Sequence, residues 1–255
     1  MGLIPKVQNG TSLRDKKANQ WYLMKRSEVN SIMRSGKEFI KQRGFYLPSF
    51  AYWTPDDWKT KGPQALEIVE NGLGWDITDF GRDNFSQYGL LLFTIRNGKP
   101  DALLNGMGKI YAEKILIVEV DQITPFHFHW RKMEDIINRG GGTLKIQLYN
   151  STPDEDLDQE TEVGVSLDGV WNILKAGGVV SLSPGESITL IPGCYHQFWA
   201  EGERVLVGEV SSVNDDQQDN RFHQPMSRFP KIEEDEPPMH LLTSDYINYY
   251  RAGVS

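Results

Sequence analysis

Cysteine is almost missing from this 255-residue chain: Cys194 stands alone, which rules out an internal disulfide and any metal site built on a cluster of thiolates. No apolar run approaches the roughly eighteen residues that a spanning helix needs. Residues 1–20 carry Lys6, Arg14, Lys16 and Lys17 but lack the apolar stretch of a secretory signal. Basic residues are outnumbered, 27 against 35 acidic ones, and are scattered among them, so the net charge of −8 leaves no footprint of a nucleic-acid binder. These absences predict a cytoplasmic protein with no membrane or nucleic-acid partner. Any metal must be held by histidines and carboxylates, and a small neutral ligand is the natural partner.

What is present has an ordinary globular balance, 39% hydrophobic and 24% charged. Val29, Ile32, Met33 and Ile40 follow helical spacing over residues 27–43, with Ser27 as N-cap and Gly44 as stop. A shorter helix is predicted over residues 63–70, after an aromatic loop at 50–58. Beyond residue 85 the pattern changes to short runs of β-formers: 88–95, 110–120, 143–149, 179–182, 187–191 and 205–210. Such spacing predicts a sandwich or barrel. The acidic stretch 150–162 reads as a solvated excursion between strands and Gly140-Gly-Gly142 as a turn, while the tail from Asp215 runs extended. The chain therefore divides into a polar extension at 1–23 with no assigned role and a single domain over 24–255. Within the domain a helical and loop part covers 24–85, the barrel core 86–212, and a tail completing the site 213–255.

Two short segments carry the chemistry. In a strand, residues two apart face the same side, so His127 and His129 present both imidazoles together. Glu134 lies five residues beyond His129 and can join them only if the chain bends through Arg131 to Met133. His196, after the Pro192-Gly193 turn, must arrive from a neighbouring strand. Three nitrogens and one carboxylate without sulfur suit Mn, Fe, Co, Ni or Zn, and octahedral coordination leaves two positions open for substrate.

The spacing His127-x-His129-x4-Glu134-x6-Gly141 resembles the first motif of the cupin superfamily. Pro192-Gly193-x2-His196 resembles the second, with departures at Asp121, Gly185, Pro192 and Ala200 that touch turns and leave the ligands intact. A closer resemblance, spanning most of the chain after Met24, is to the D-lyxose isomerase family of cupins. It is carried by Leu47-Pro-Ser-Phe-Ala-Tyr-Trp-Thr-Pro-Asp-Asp-Trp58, Gly74-Trp-Asp-Ile-Thr-Asp-Phe-Gly81 and Thr124-Pro-Phe-His-Phe-His-Trp-Arg-Lys-Met-Glu134. Gly208-Glu-Val-Ser-Ser-Val-Asn-Asp-Asp216 and Ile232-Glu-Glu-Asp-Glu236 complete it. The resemblance implies a mainly β double-stranded β-helix with an N-terminal helical and loop extension, assembled as a homodimer. It also implies Mn²⁺ on His127, His129, Glu134 and His196, and interconversion of D-lyxose with D-xylulose, often with D-mannose and D-fructose.

Aldose–ketose interconversion needs a cation to polarise the carbonyl and a carboxylate to carry a proton between C1 and C2. With Glu134 committed to the metal, the resemblance points to the acidic tail, where Glu234 and Asp245 are the expected acid/base pair and Glu236 the substitute. Lys132 is placed to steady negative charge, and Trp53, Trp130 or Phe128 to floor a sugar site, although Phe128 alternates with the ligands and should pack outside the barrel. Cys194 has no paired base and reads as a buried thiol. Two rival readings share the histidines: an Fe(II) cupin dioxygenase and a non-catalytic sugar-binding cupin.

Overall fold

The computed structural model describes residues 23–101, 105, 106 and 108–251. The expected polar extension at 1–23 lies outside the described residues except for Leu23. After strand β1 (Met24–Lys25), helix α1 runs from Arg26 to Gln42, followed by short helices α2 (Pro55–Lys59) and α3 (Leu66–Glu70). Strands β2 (Gly74–Thr78), β3 (Leu90–Arg96), β4 (Tyr111–Val118), β5 (Thr124–Phe128) and β6 (Glu134–Ser151) come next. They are followed by β7 (Leu157–Asp158), β8 (Val163–Leu167), β9 (Val170–Leu174), β10 (Val179–Leu182), β11 (Ser187–Leu190) and β12 (Cys194–Ser212). The tail adds β13 (Arg221–Phe222), β14 (Ile232–Glu233) and a last helical turn, α4 (Tyr246–Tyr249). No helix among the described residues is long and apolar enough to cross a membrane.

The main sheet runs β2-β3-β4-β12-β6-β11-β8-β9, with β10 and β7 on β6, β5 on β12, and β13 on β5. All its strand pairings are antiparallel. The two long strands, β6 and β12, pair with each other and bend together, so one pair of strands contributes to both halves of the barrel. Gly140-Gly-Gly142, expected as a turn, is a corner inside β6. Gly141 has φ +113, and a Cβ there would stand 2.0 Å from the Arg204 carbonyl oxygen, so only glycine fits where β12 crosses.

Two cores share the sheet. Inside the barrel lie Leu90, Leu92, Leu116, Ile146 and Val207; on its outer face Leu91, Phe93, Ile115 and Ile117 meet Val29, Met33, Phe39 and Ile40 of α1. β3 thus reads as an unbroken apolar run because both its faces are covered. Each fully buried aliphatic or aromatic side chain stabilises the fold by about 1.5–3 kcal/mol relative to exposure. Gly36 lets α1 approach, since a Cβ there would meet a Leu91 methyl at 2.4 Å.

Several local expectations need adjustment. Ser27 does not cap α1: its hydroxyl and amide bind Asp235 at 2.7 and 2.9 Å. The aromatic loop at 50–58 contains α2, which a Thr54/Asp57 capping box opens with Pro55 at its first position. Residues 150–162 are no simple solvated loop, because Glu155 accepts hydrogen bonds from Trp130 and Arg221 and ties the segment to the barrel. The β8–β9 hairpin, the Gly74–Thr78 strand and the short tail strands escaped the sequence reading.

Candidate active site

β5 delivers His127 inward, and the chain leaving it delivers His129. His196 stands opposite His127 on β12, and Glu134 opens β6. The chain bends at Trp130 and Arg131, as the five-residue gap to Glu134 requires. The ligand atoms of the three histidines lie within 4.8 Å of one another. Glu134 Oε1 stands 3.2 Å from His196 Nε2 and 3.5 Å from His129 Nε2.

Each imidazole is oriented from behind by a backbone carbonyl. Nδ1 of His127 meets the Pro125 oxygen at 2.8 Å, that of His129 the Asp219 oxygen at 2.5 Å, and that of His196 the Cys194 oxygen at 3.0 Å. A carbonyl can only accept, so each Nδ1 carries the hydrogen and each Nε2 keeps its lone pair. Burial, reinforced by the neighbouring imidazoles, holds His127 well below the usual histidine range. Burial followed by the Lys132 charge lowers His129. His129 Nε2, His196 Nε2 and Glu134 Oε1 are buried without a hydrogen-bond partner. Leaving three buried polar atoms unsatisfied at one point is costly, and a divalent cation is the group whose ligand chemistry matches this set.

The cluster lines a small cavity of about 50 Å³ together with Lys114, Lys132, Glu209 and Asp216. Lys132 Nζ lies 2.7 Å from Glu134 Oε2 and 2.9 Å from Glu209 Oε1. Lys114 Nζ stands 3.3 Å from the same Glu209 oxygen and 3.7 Å from Asp216 Oδ1. Burial opposes the charge on Lys132, but Glu134 and Glu209 outweigh it and raise its pKa, so the ammonium persists at neutral pH. Burial likewise opposes ionisation of Glu209, yet Lys114 and Lys132 hold its carboxyl below the usual range. Asp216, against burial, is pushed well below by Lys114 and Arg228. The contacts of Glu209 with Lys132, Lys114 and Ser211 all run through Oε1. Arg228 spans Asp76 at 2.7 Å and Asp216 at 3.4 Å, while its Nη1 has no partner.

The structure thus assembles His127, His129, Lys132, Glu134 and His196, but it does not bring Glu234 and Asp245 to them. Both tail acids grip Arg26 at the start of α1: Glu234 accepts from Nε at 2.9 Å and Nη2 at 2.6 Å, and Asp245 from Nη1 at 3.0 Å and Nη2 at 2.8 Å. The substitute Glu236 accepts from Asn30 at 2.6 Å, also on α1. A positive helix N-terminus attracts these carboxylates, and Arg26 is 1% exposed, so the acidic tail is a clamp on the helix. Burial works against the Arg26 charge, but the two carboxylates more than offset it and raise its pKa. Trp53, Trp130 and Phe128 also lie off the pocket, whose aromatic wall is Phe80, Phe198 and Phe222.

A direct consequence is that Glu234→Gln leaves turnover within a few-fold of the starting protein. Arg26→Ala instead strands Asp245, whose side chain is 10% exposed, and costs about 3 kcal/mol of stability; the half-exposed Glu234 contributes little of that. Steady-state kinetics and denaturant unfolding check the two outcomes. If Glu234→Gln abolished turnover in a folded protein, the clamp reading would be wrong.

Glu209, Asp216, Lys114 and Arg228 were not singled out in the sequence, though a signal existed. In β12, Val205, Val207 and Glu209 share the inward phase, as do Lys114, Leu116 and Val118 in β4. A charged residue in the buried phase of an apolar strand marks a site.

The family model described as D-lyxose isomerase matches residues 24–246. A D-lyxose/D-mannose isomerase of Serratia proteamaculans is 49% identical over 230 residues, covering 89% of this chain and 99% of the relative. One of Escherichia coli O157:H7 is 48% identical over 226 residues, covering 88% and 98%. Among solved structures, an L-ribose isomerase of Acinetobacter sp. DL28 in complex with L-ribose superimposes with a TM-score of 0.55 at 13% identity. It covers 83% of this chain and 99% of that one, a likeness of the cupin-like fold. A match across nearly all of the described residues, together with relatives near half identity, places this chain in the D-lyxose isomerase family of sugar isomerases.

Proposed function

We propose that this enzyme interconverts D-lyxose with D-xylulose and D-mannose with D-fructose, using Mn²⁺ on His127, His129, Glu134 and His196 and a proton-carrying carboxylate at Glu209. The observation that carries the reading is the presence, in one pocket, of three unsatisfied ligand atoms and the buried carboxylate of Glu209. D-Lyxose and D-mannose share their configuration at C2, C3 and C4, so one set of contacts suits both. Their names recur in the relatives.

A bound cation would polarise the sugar carbonyl and steady the negative charge developing on O1 and O2; Co²⁺, Fe²⁺, Ni²⁺ or Zn²⁺ could fill the same nitrogen and oxygen set. Glu209 Oε2 takes the proton from C2 of the aldose. The electrons of that C–H bond form the C1–C2 double bond, and the carbonyl pair moves onto O1. The O2 hydroxyl proton passes to O1, and Glu209, whose proton exchanges with the neighbouring ammonium hydrogens, delivers a proton to C1 as C2 becomes the carbonyl carbon. Two protons move, no hydrogen is lost, and no redox partner is consumed. Lys132 stays protonated between Glu134 and Glu209, where its charge favours the enediolate over the neutral sugar. The unpartnered Arg228 Nη1 is available to a sugar hydroxyl.

The test is a panel of aldoses given to the Mn²⁺-loaded protein and read as ketose formed. D-Lyxose and D-mannose are expected to lead it; no ketose from either would overturn the proposal. The homodimer belongs to the same reading, supported by Trp171 and Ile173, which stand 65% and 62% exposed on edge strand β9.

A further inference from the structure

The three histidines and Glu134 form one centre only because the chain turns sharply between His129 and Glu134, and one buried carboxylate holds the apex of that turn while the Ser212 hydroxyl accepts the Met133 amide after it. Asp219, in the loop after β12, is 3% exposed. Its Oδ1 accepts the Arg131 backbone N–H at 3.0 Å and its Oδ2 the Lys132 backbone N–H at 2.9 Å, while the exposed Arg131 guanidinium lies 3.9 Å from Oδ1. Two successive amides at the apex of the bend are thus fixed by two oxygens of one carboxylate. The same residue's carbonyl oxygen accepts from His129 Nδ1 at 2.5 Å.

From this geometry we infer that Asp219 is a positioning residue for the metal centre, one that reaches no ligand atom's open side but sets where two ligands stand. Its carbonyl fixes the ring and tautomer of His129. Its carboxylate fixes the bend that turns Glu134 back toward His129 and aims Lys132 between Glu134 and Glu209. An asparagine offers one acceptor oxygen where each amide now has its own, and turns an N–H toward the other; a buried amide without its acceptor is costly, so the bend would relax. Groups that support metal ligands in this way are typically worth about 10–100-fold in metal affinity. The inference rests on the proposal that these four residues bind a divalent cation.

The experiment uses the full-length protein, chelator-treated and titrated with Mn²⁺, with Co²⁺ as a spectroscopic probe. Asp219→Asn keeps the size and the backbone carbonyl but places an amide N–H against a backbone N–H. Its Mn²⁺ affinity is expected to fall by about 10–100-fold, and the visible absorption of bound Co²⁺ to shift, alongside the modest loss of melting temperature that an unpaired amide brings. A purely structural role would move melting temperature and leave the Co²⁺ spectrum alone. Asp219→Ala should exceed Asp219→Asn in the affinity loss; should it fail to fold, the asparagine variant still decides the question. Wild-type affinity and an unchanged Co²⁺ spectrum in Asp219→Asn would overturn the inference. If the parent protein itself bound no Mn²⁺, the metal reading beneath it would fall first, and the two failures are distinguished by that control.

Discussion

Replacing Glu209 by Gln is expected to lower kcat by about 10³-fold, within the range that a positioned acid/base group supplies, with Mn²⁺ content unchanged. The substitution keeps the volume of a buried side chain and leaves an oxygen to accept from Lys132 at the position now 2.9 Å away. What it removes is the basic oxygen proposed to take the carbon-bound proton. KM should stay within a few-fold, since the loss falls on the transition state and not on sugar binding. Loss of metal alongside activity would instead show that Glu209 supports the ligands, and retention of a tenth or more of wild-type turnover would remove it from the proton path.

His196→Ala is expected to abolish both metal binding and turnover. This histidine is 1% exposed, and its Nε2 is one of the three orphaned ligand atoms. Removing it takes away one nitrogen donor and opens a void beside Glu134, so the affinity loss should exceed the about 10–100-fold that a mere supporting residue costs. Chelation of the wild-type protein should reproduce the loss, and added Mn²⁺ should restore wild type but not the variant. Metal content by elemental analysis reads the result. A variant that retained stoichiometric Mn²⁺ and full turnover would place the centre elsewhere.

The cluster of three histidines and Glu134 was legible because its information is local. Two histidines at strand period must share a face, and the gap to Glu134 demanded a bend that the chain makes at Trp130 and Arg131. The tail acids were misplaced for the opposite reason: their partner, Arg26, lies 208 residues before Glu234, and an aperiodic acidic run carries no mark of the charge it will meet in space. Glu209 and Lys114 fall between these cases. Their inward phase was readable in β12 and β4, but only the register of those strands, Glu209 opposite Lys114, makes the pair meaningful. Asp219 left no local mark, because its role depends on a turn reached from 87 residues away. In the fold, the alternation of Leu144, Ile146 and Leu148 marked a half-buried strand. The β8–β9 hairpin was lost because Gly164 sits where a β-former would be expected, leaving room for the Trp171 ring.

In the proposed reaction a carboxylate in this pocket moves a proton between C2 and C1. The Glu209 oxygen that anchors Lys132 and Lys114 keeps that carboxyl in contact with exchangeable ammonium hydrogens, at 2.9 and 3.3 Å. Turnover of D-lyxose in D₂O, followed by NMR of the ketose, should therefore place deuterium at C1 of the product with the wild-type enzyme. Ketose formed at full rate with its C1 hydrogen derived wholly from C2 of the aldose would contradict the proton-transfer account.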